Sequence, residues 1–194
     1  MSSIRIRAAR GGEGAAIATV YIDAWRAAYA GILPDSVLVR MSPAQQQRIW
    51  THHINSLDTV LVAVHPRHGV VGVASGGRSR DRRFADGGEI FTLYVAPDHQ
   101  GQGYGRALLL EMQCALRDAG HEFAVLWVLA ENQARFFYEA MGGIRAAERH
   151  ERLWGVTLPE IAYQWRPLQP SARPGRFGAP KGRYFFSRNG DNNA

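Results

Sequence analysis

Residues 100–106 constrain this chain more than any other stretch: Gln100, Gly101, Gln102, Gly103, Tyr104, Gly105 and Arg106. An apolar, strand-like run at 89–96 precedes them. A helical pattern with Leu108, Leu109, Met112 and Leu116 on one face follows. Strand, glycine-rich turn and helix in that order set a row of unpaired backbone N–H groups at a helix N-terminus. With the positive end of the helix dipole behind them, such groups hold phosphate. Two familiar glycine signatures do not fit. A nucleotide P-loop needs Lys-Ser or Lys-Thr after its last glycine, and the chain contains neither pair. A dinucleotide fingerprint needs a third glycine where Arg106 stands, and an opening strand before the turn.

The remaining pattern predicts an opening strand at 3–8 and a helix over 13–30. That helix has Ile17, Val20, Tyr21, Ala24, Trp25 and Ala28 recurring at three- and four-residue spacing. Ser42 and Pro43 open a second helix carrying Ile49, Trp50 and Ile54 inward. Strands at 59–64 and 70–74 read as a hairpin. A polar loop over 76–88 carries Arg78, Arg80, Arg82 and Arg83. After the glycine turn, a helix over 103–119 leads to a buried strand at 123–129. A short helix from Asn132 follows, with Phe136, Phe137, Ala140 and Met141 inward, and strands at 144–150 and 160–166 complete the domain. A helical crossover makes the strands at 89–96 and 123–129 parallel, whereas the hairpins are antiparallel. The fold class is therefore α/β (α+β): a mixed, mostly antiparallel central sheet with one parallel pair, flanked by helices.

Length suits one domain over 1–166 with a tail at 167–194. The tail holds Arg173, Arg176, Lys181, Arg183 and Arg188 against Asp191, so most of the net charge of +6 belongs to it. It reads as a solvated extension rather than a nucleic-acid surface. Its Tyr184, Phe185 and Phe186 are expected to dock on this domain or on a second copy in a homodimer. Cys114, the single cysteine, reads as a buried structural thiol. No run has the length and apolarity of a membrane helix and no signal-peptide pattern opens the chain, so a cytoplasmic enzyme with no membrane partner is expected. No metal-ligand spacing is visible, and His99 and His150 read as structural or exposed.

Gln100 to Gly105 also match the pattern Gln/Arg-x-x-Gly-x-Gly/Ala in full. With Leu93, Tyr94, Val95, Ala96 and Pro97 before it, and Asn132, Phe136, Phe137, Tyr138, Met141 and Gly142 after it, the chain resembles the GNAT superfamily of N-acetyltransferases. The resemblance spans about residues 4–166 and implies acetyl-CoA as acyl donor. It implies a pyrophosphate held by the N–H groups of Gln102, Gly103, Tyr104, Gly105 and Arg106 within the 100–106 turn. A pantetheine arm is then expected along Leu93, Tyr94 and Val95, in a gap where the parallel strands splay.

By the same resemblance Tyr138 is the acid that protonates the leaving thiolate, and Glu89 is the base that acts on the attacking amine. Asn132 is expected to contact the cofactor, to cap its helix, or both. Trp25, Tyr29 and Trp50 are candidates for lining the acceptor pocket, although aromatics at helical spacing also build cores. The acceptor is a primary amine of a small molecule or of a peptide or protein. A second reading stays open: a CoA-binding module whose basic, aromatic tail binds RNA or a protein partner.

Overall fold

The computed structural model describes residues 4–56, 58–153 and 155–168. Seven strands form one sheet: β1 (Arg5–Ala8), β2 (Thr59–His65), β3 (Gly69–Arg78), β4 (Gly88–Val95), β5 (Ala124–Leu129), β6 (Ile144–Leu153) and β7 (Val156–Trp165). Their spatial order is β1-β2-β3-β4-β5-β7-β6. Every neighbouring pair is antiparallel except β4 and β5, which are parallel as the helical crossover requires. Among the described residues, five α-helices accompany them: α1 (Gly14–Tyr29), α2 (Asp35–Leu38), α3 (Pro43–Ile54), α4 (Tyr104–Asp118) and α5 (Ala134–Ala140).

Both faces of the sheet are covered, and the strand period shows how. Along β2, Val60 and Val62 join Ile17, Ala18, Val20 and Trp50 beneath α1 and α3. Leu61 and Ala63 point the other way, into the core built with Leu108, Leu109, Met112 and Leu116 of α4. That second core continues through Tyr138, Tyr163 and Trp165 to Leu168. Burial therefore reaches past residue 166. Cys114 is buried on α4, and burial raises its thiol pKa.

The structure corrects three expectations. Residues 76–78 continue β3 instead of opening a loop. A Cβ on Gly76 would come within 2.9 Å of Met112 Sδ and of the Glu89 carbonyl, so glycine here admits α4 onto the sheet. Asp35–Leu38 adds a helical turn after Pro34. In α5, Phe137 and Met141 pack against the core as expected, but Phe136 is 49% exposed and Ala140 is exposed, and Tyr138 is the residue buried most deeply.

Candidate active site

Strands β4 and β5 part company early. Their register contains only Gly88↔Ala124 and Glu89↔Val125, yet both strands run on, β4 to Val95 and β5 to Leu129. On its other side β4 stays paired with β3 as far as Gly72↔Val95. The Ala96 N–H donates to Val71 O at 2.9 Å, so by alternation the Val95 N–H turns toward the gap. Leu93, two residues back, turns the same way. The Val95 carbonyl accepts from Gln100 Nε2 at 3.1 Å, which ties the glycine turn to the end of β4. The result is a slot with an unpaired strand on one wall, able to take an extended ligand as an added strand.

The glycine turn caps that slot. Gly101 and Gly103 have φ of 71° and 86°, the left-handed region where a side chain costs energy. Gly103 stands as N-cap of α4 and supplies no capping side chain. Among the described residues, the backbone N–H groups of Gly101 to Arg106 find no acceptor, whereas the Ala107 N–H already bonds Gly103 O at 3.0 Å. Tyr104 is buried as the first helical anchor, and Gln102 and Arg106 are exposed. A row of unmatched donors at the start of a fifteen-residue helix fits a pyrophosphate.

Phenols gather along the slot. Tyr29 of α1 and Tyr94 of β4 share a hydrogen bond of 3.2 Å. Tyr94 meets Tyr21 edge-on at 5.3 Å. Burial raises the pKa of Tyr21 to about 12 and those of Tyr29, Tyr94 and Tyr138 also upward. Tyr138 is 5% exposed, with its ring against Phe137, Tyr163 and Trp165. Asn132 is buried, and its Oδ1 accepts the Ala134 N–H at 2.9 Å, so it does cap α5. Its side chain lies near enough to the Tyr29 phenol to oppose part of the rise that burial causes in the phenol's pKa.

Two carboxylates approach the same region. Glu89 is buried and accepts three bonds from Arg80: backbone N–H at 2.8 Å, Nε at 3.2 Å and Nη2 at 2.7 Å. Glu160 of β7, opposite Leu129, accepts Arg149 Nε at 2.7 Å. Burial nonetheless raises the Glu160 pKa above the ordinary carboxylate range, and the nearby charges of Glu151 and Glu89 add to this. Sequence reading passed over Glu160, since a glutamate beside Pro159 looks like a solvated strand start. Only the fold brings it within electrostatic reach of Tyr29 and Glu89.

Trp25 packs with Leu33, Val37 and Leu38, with Tyr29 and Tyr94 at the margin of that cluster. Trp50 is buried under α1 with its ring 5.6 Å from Tyr21. In the arginine-bearing segment, Arg80 is held by Glu89 and Arg83 by Asp81, so much of its charge is neutralised locally. Tyr184, Phe185 and Phe186 lie outside the described residues.

Comparison with known proteins gives concordant matches. Residues 56–142 match the acetyltransferase (GNAT) domain family. The chain is 33% identical over 152 residues to the uncharacterised N-acetyltransferase YuaI of Bacillus subtilis, covering 78% of this chain and 87% of that protein. It is 32% identical over 148 residues to the L-amino acid N-acyltransferase MnaT of Escherichia coli, covering 74% and 81%. Among solved structures, yncA of Salmonella typhimurium with its cofactor acetyl-CoA superposes with a TM-score of 0.65 at 26% identity, covering 88% of this chain and 97% of that one.

Proposed function

The chain belongs to the GNAT superfamily of acetyl-CoA-dependent N-acyltransferases, and from that premise we propose how its own residues carry the reaction and on what class of amine. The observation that supports the reading best is the split between β4 and β5, closed at one end by unmatched N–H groups.

Acetyl-CoA supplies an acetyl group activated as a thioester. The N–H groups of Gln102 to Arg106 hold its pyrophosphate, and Gly103 and Gly105 keep side chains out of the way. The pantetheine amides pair along Leu93, Tyr94 and Val95. The Val95 N–H donates to the thioester carbonyl oxygen and holds the negative charge that gathers there as the amine attacks. One such donor contributes about 3 kcal/mol. Tyr138, kept protonated by burial, gives its proton to the departing sulfur. Tyr94 orients the Tyr29 phenol at the acceptor side through their hydrogen bond, with Trp25 and Trp50 packed behind it and Asn132 nearby.

The attacking amine must lose a proton. Glu89 is the base expected from the resemblance, but both of its carboxylate oxygens are already engaged by three bonds from Arg80. Glu160, with its raised pKa, suits the base better, and Glu89 then helps to hold that pKa up. Transfer is direct, because Cys114 is buried on α4 away from the slot.

The acceptor is the primary amine of a small molecule or peptide. The similarity to an L-amino acid N-acyltransferase makes free L-amino acids the first class to test. The test is thiol release from acetyl-CoA across a panel of amino acids, small amines and peptides. Turnover with one class and saturable acetyl-CoA binding support the reading. Acetyl-CoA binding with no acceptor in any class would favour the binding-module alternative.

A further inference from the structure

Outside the slot, three imidazoles converge. His65 ends β2, His68 stands in the turn to β3, and His99 ends the 3-10 turn (Pro97–His99) that leads into Gln100. Each offers one ring nitrogen, and the three nitrogens lie within 4.8 Å of one another. His68 Nδ1 and His99 Nε2 are 2.8 Å apart. The rings of His65 and His68 stack at 4.3 Å, and His65 meets His99 edge-on at 5.4 Å.

The surroundings match poorly with a purely structural cluster. Among the described residues, no ion pair joins any of the three to a carboxylate. His99 Nδ1 is buried without a hydrogen-bond partner. A borderline divalent metal takes neutral imidazole lone pairs.

Distances agree with that use. With zinc–nitrogen bonds of about 2.0–2.1 Å, nitrogens on one tetrahedral ion stand about 3.3 Å apart. Nitrogens already within 4.8 Å of one another need only a small side-chain rotation to reach this, in which the exposed His68 gives up its contact with His99 Nε2 for the metal bond. His65 Nδ1 currently accepts the backbone N–H groups of Arg67 and His68, both at a long 3.2 Å. Ligation through Nδ1 exchanges those contacts for a metal bond.

We propose that His65, His68 and His99 form a three-histidine site for one divalent transition-metal ion of the zinc, cobalt or nickel class, with water completing the shell. The ion bridges the β2–β3 turn and the segment entering the glycine turn. No spacing rule reveals this site in the sequence, because 31 residues separate His68 from His99.

The test uses the untagged full-length chain, stripped with a chelator and titrated with zinc chloride by calorimetry and with cobalt chloride by visible absorbance. One saturable equivalent is expected, with cobalt d–d bands of a low-coordinate site. His68→Gln should weaken binding at least tenfold and leave the metal-free melting temperature unchanged. A double variant His52→Gln/His53→Gln, on α3, should bind as the native chain does. Absence of saturable binding by the native chain, or undiminished binding by His68→Gln, would overturn the proposal.

Discussion

A phenol proposed to release its proton late in a reaction must be kept from releasing it early, and burial among Phe137, Tyr163 and Trp165 keeps Tyr138 protonated. Tyr138→Phe removes one oxygen and keeps the ring packing. Turnover should fall about 100-fold, while calorimetry should give an unchanged acetyl-CoA affinity. The two carboxylates separate by their response to pH. A base works deprotonated, so kcat/KM rises as pH rises through its pKa; the raised pKa of Glu160 puts that limb above the ordinary carboxylate range. Glu160→Gln should abolish the limb, whereas Glu89→Gln should shift it to lower pH by removing a neighbouring negative charge. Loss of the limb in Glu89→Gln alone would assign the base to Glu89. The difference between these carboxylates was not legible along the chain. Glu89 attracts notice by preceding the apolar β4 run, but nothing local marks Glu160, whose surroundings come from α1, β4 and β6.

The glycine turn was legible because its chemistry is local: Gln100 to Arg106, their strand and their helix are continuous in sequence. Gly103→Ala tests it as an element. The left-handed φ of 86° costs a non-glycine residue about 1 kcal/mol, and the added methyl also comes to 3.3 Å from Ile4 Cδ1. A small drop in melting temperature is expected, with a rise of about tenfold, equivalent to about 1.4 kcal/mol, in the KM for acetyl-CoA. An unchanged KM would remove the turn from the binding site. The elements that sequence misplaced failed for physical reasons. Gly76 and Gly77 look like a loop, but glycine in β3 serves the close approach of α4 and Phe91. In α5, seven residues give too little periodicity to set the helical phase fully, so the pattern places Phe137 and Met141 on the core side correctly but misplaces Phe136.

At the scale of the whole molecule, the packed core takes in Leu168, next to the expected start of the tail at 167. A chain ending after Leu168 should therefore keep its melting temperature and acetyl-CoA affinity, whereas one ending at Arg166 should melt lower. Unchanged mass in solution after removal of 169–194 would argue against a dimer stitched by Tyr184, Phe185 and Phe186. The parting of β4 from β5 also has a mechanical meaning. Among the described residues, the β4–β5 ladder that joins the β1–β4 half-sheet to the β5–β7 half has two registered residue pairs. Without ligand, the Leu93 and Val95 amides lack cross-seam partners and should exchange with deuterium quickly; with acetyl-CoA bound, they should become protected. The acyl donor then acts as a removable rivet, so the rigidity of the molecule rises and falls with its own substrate supply.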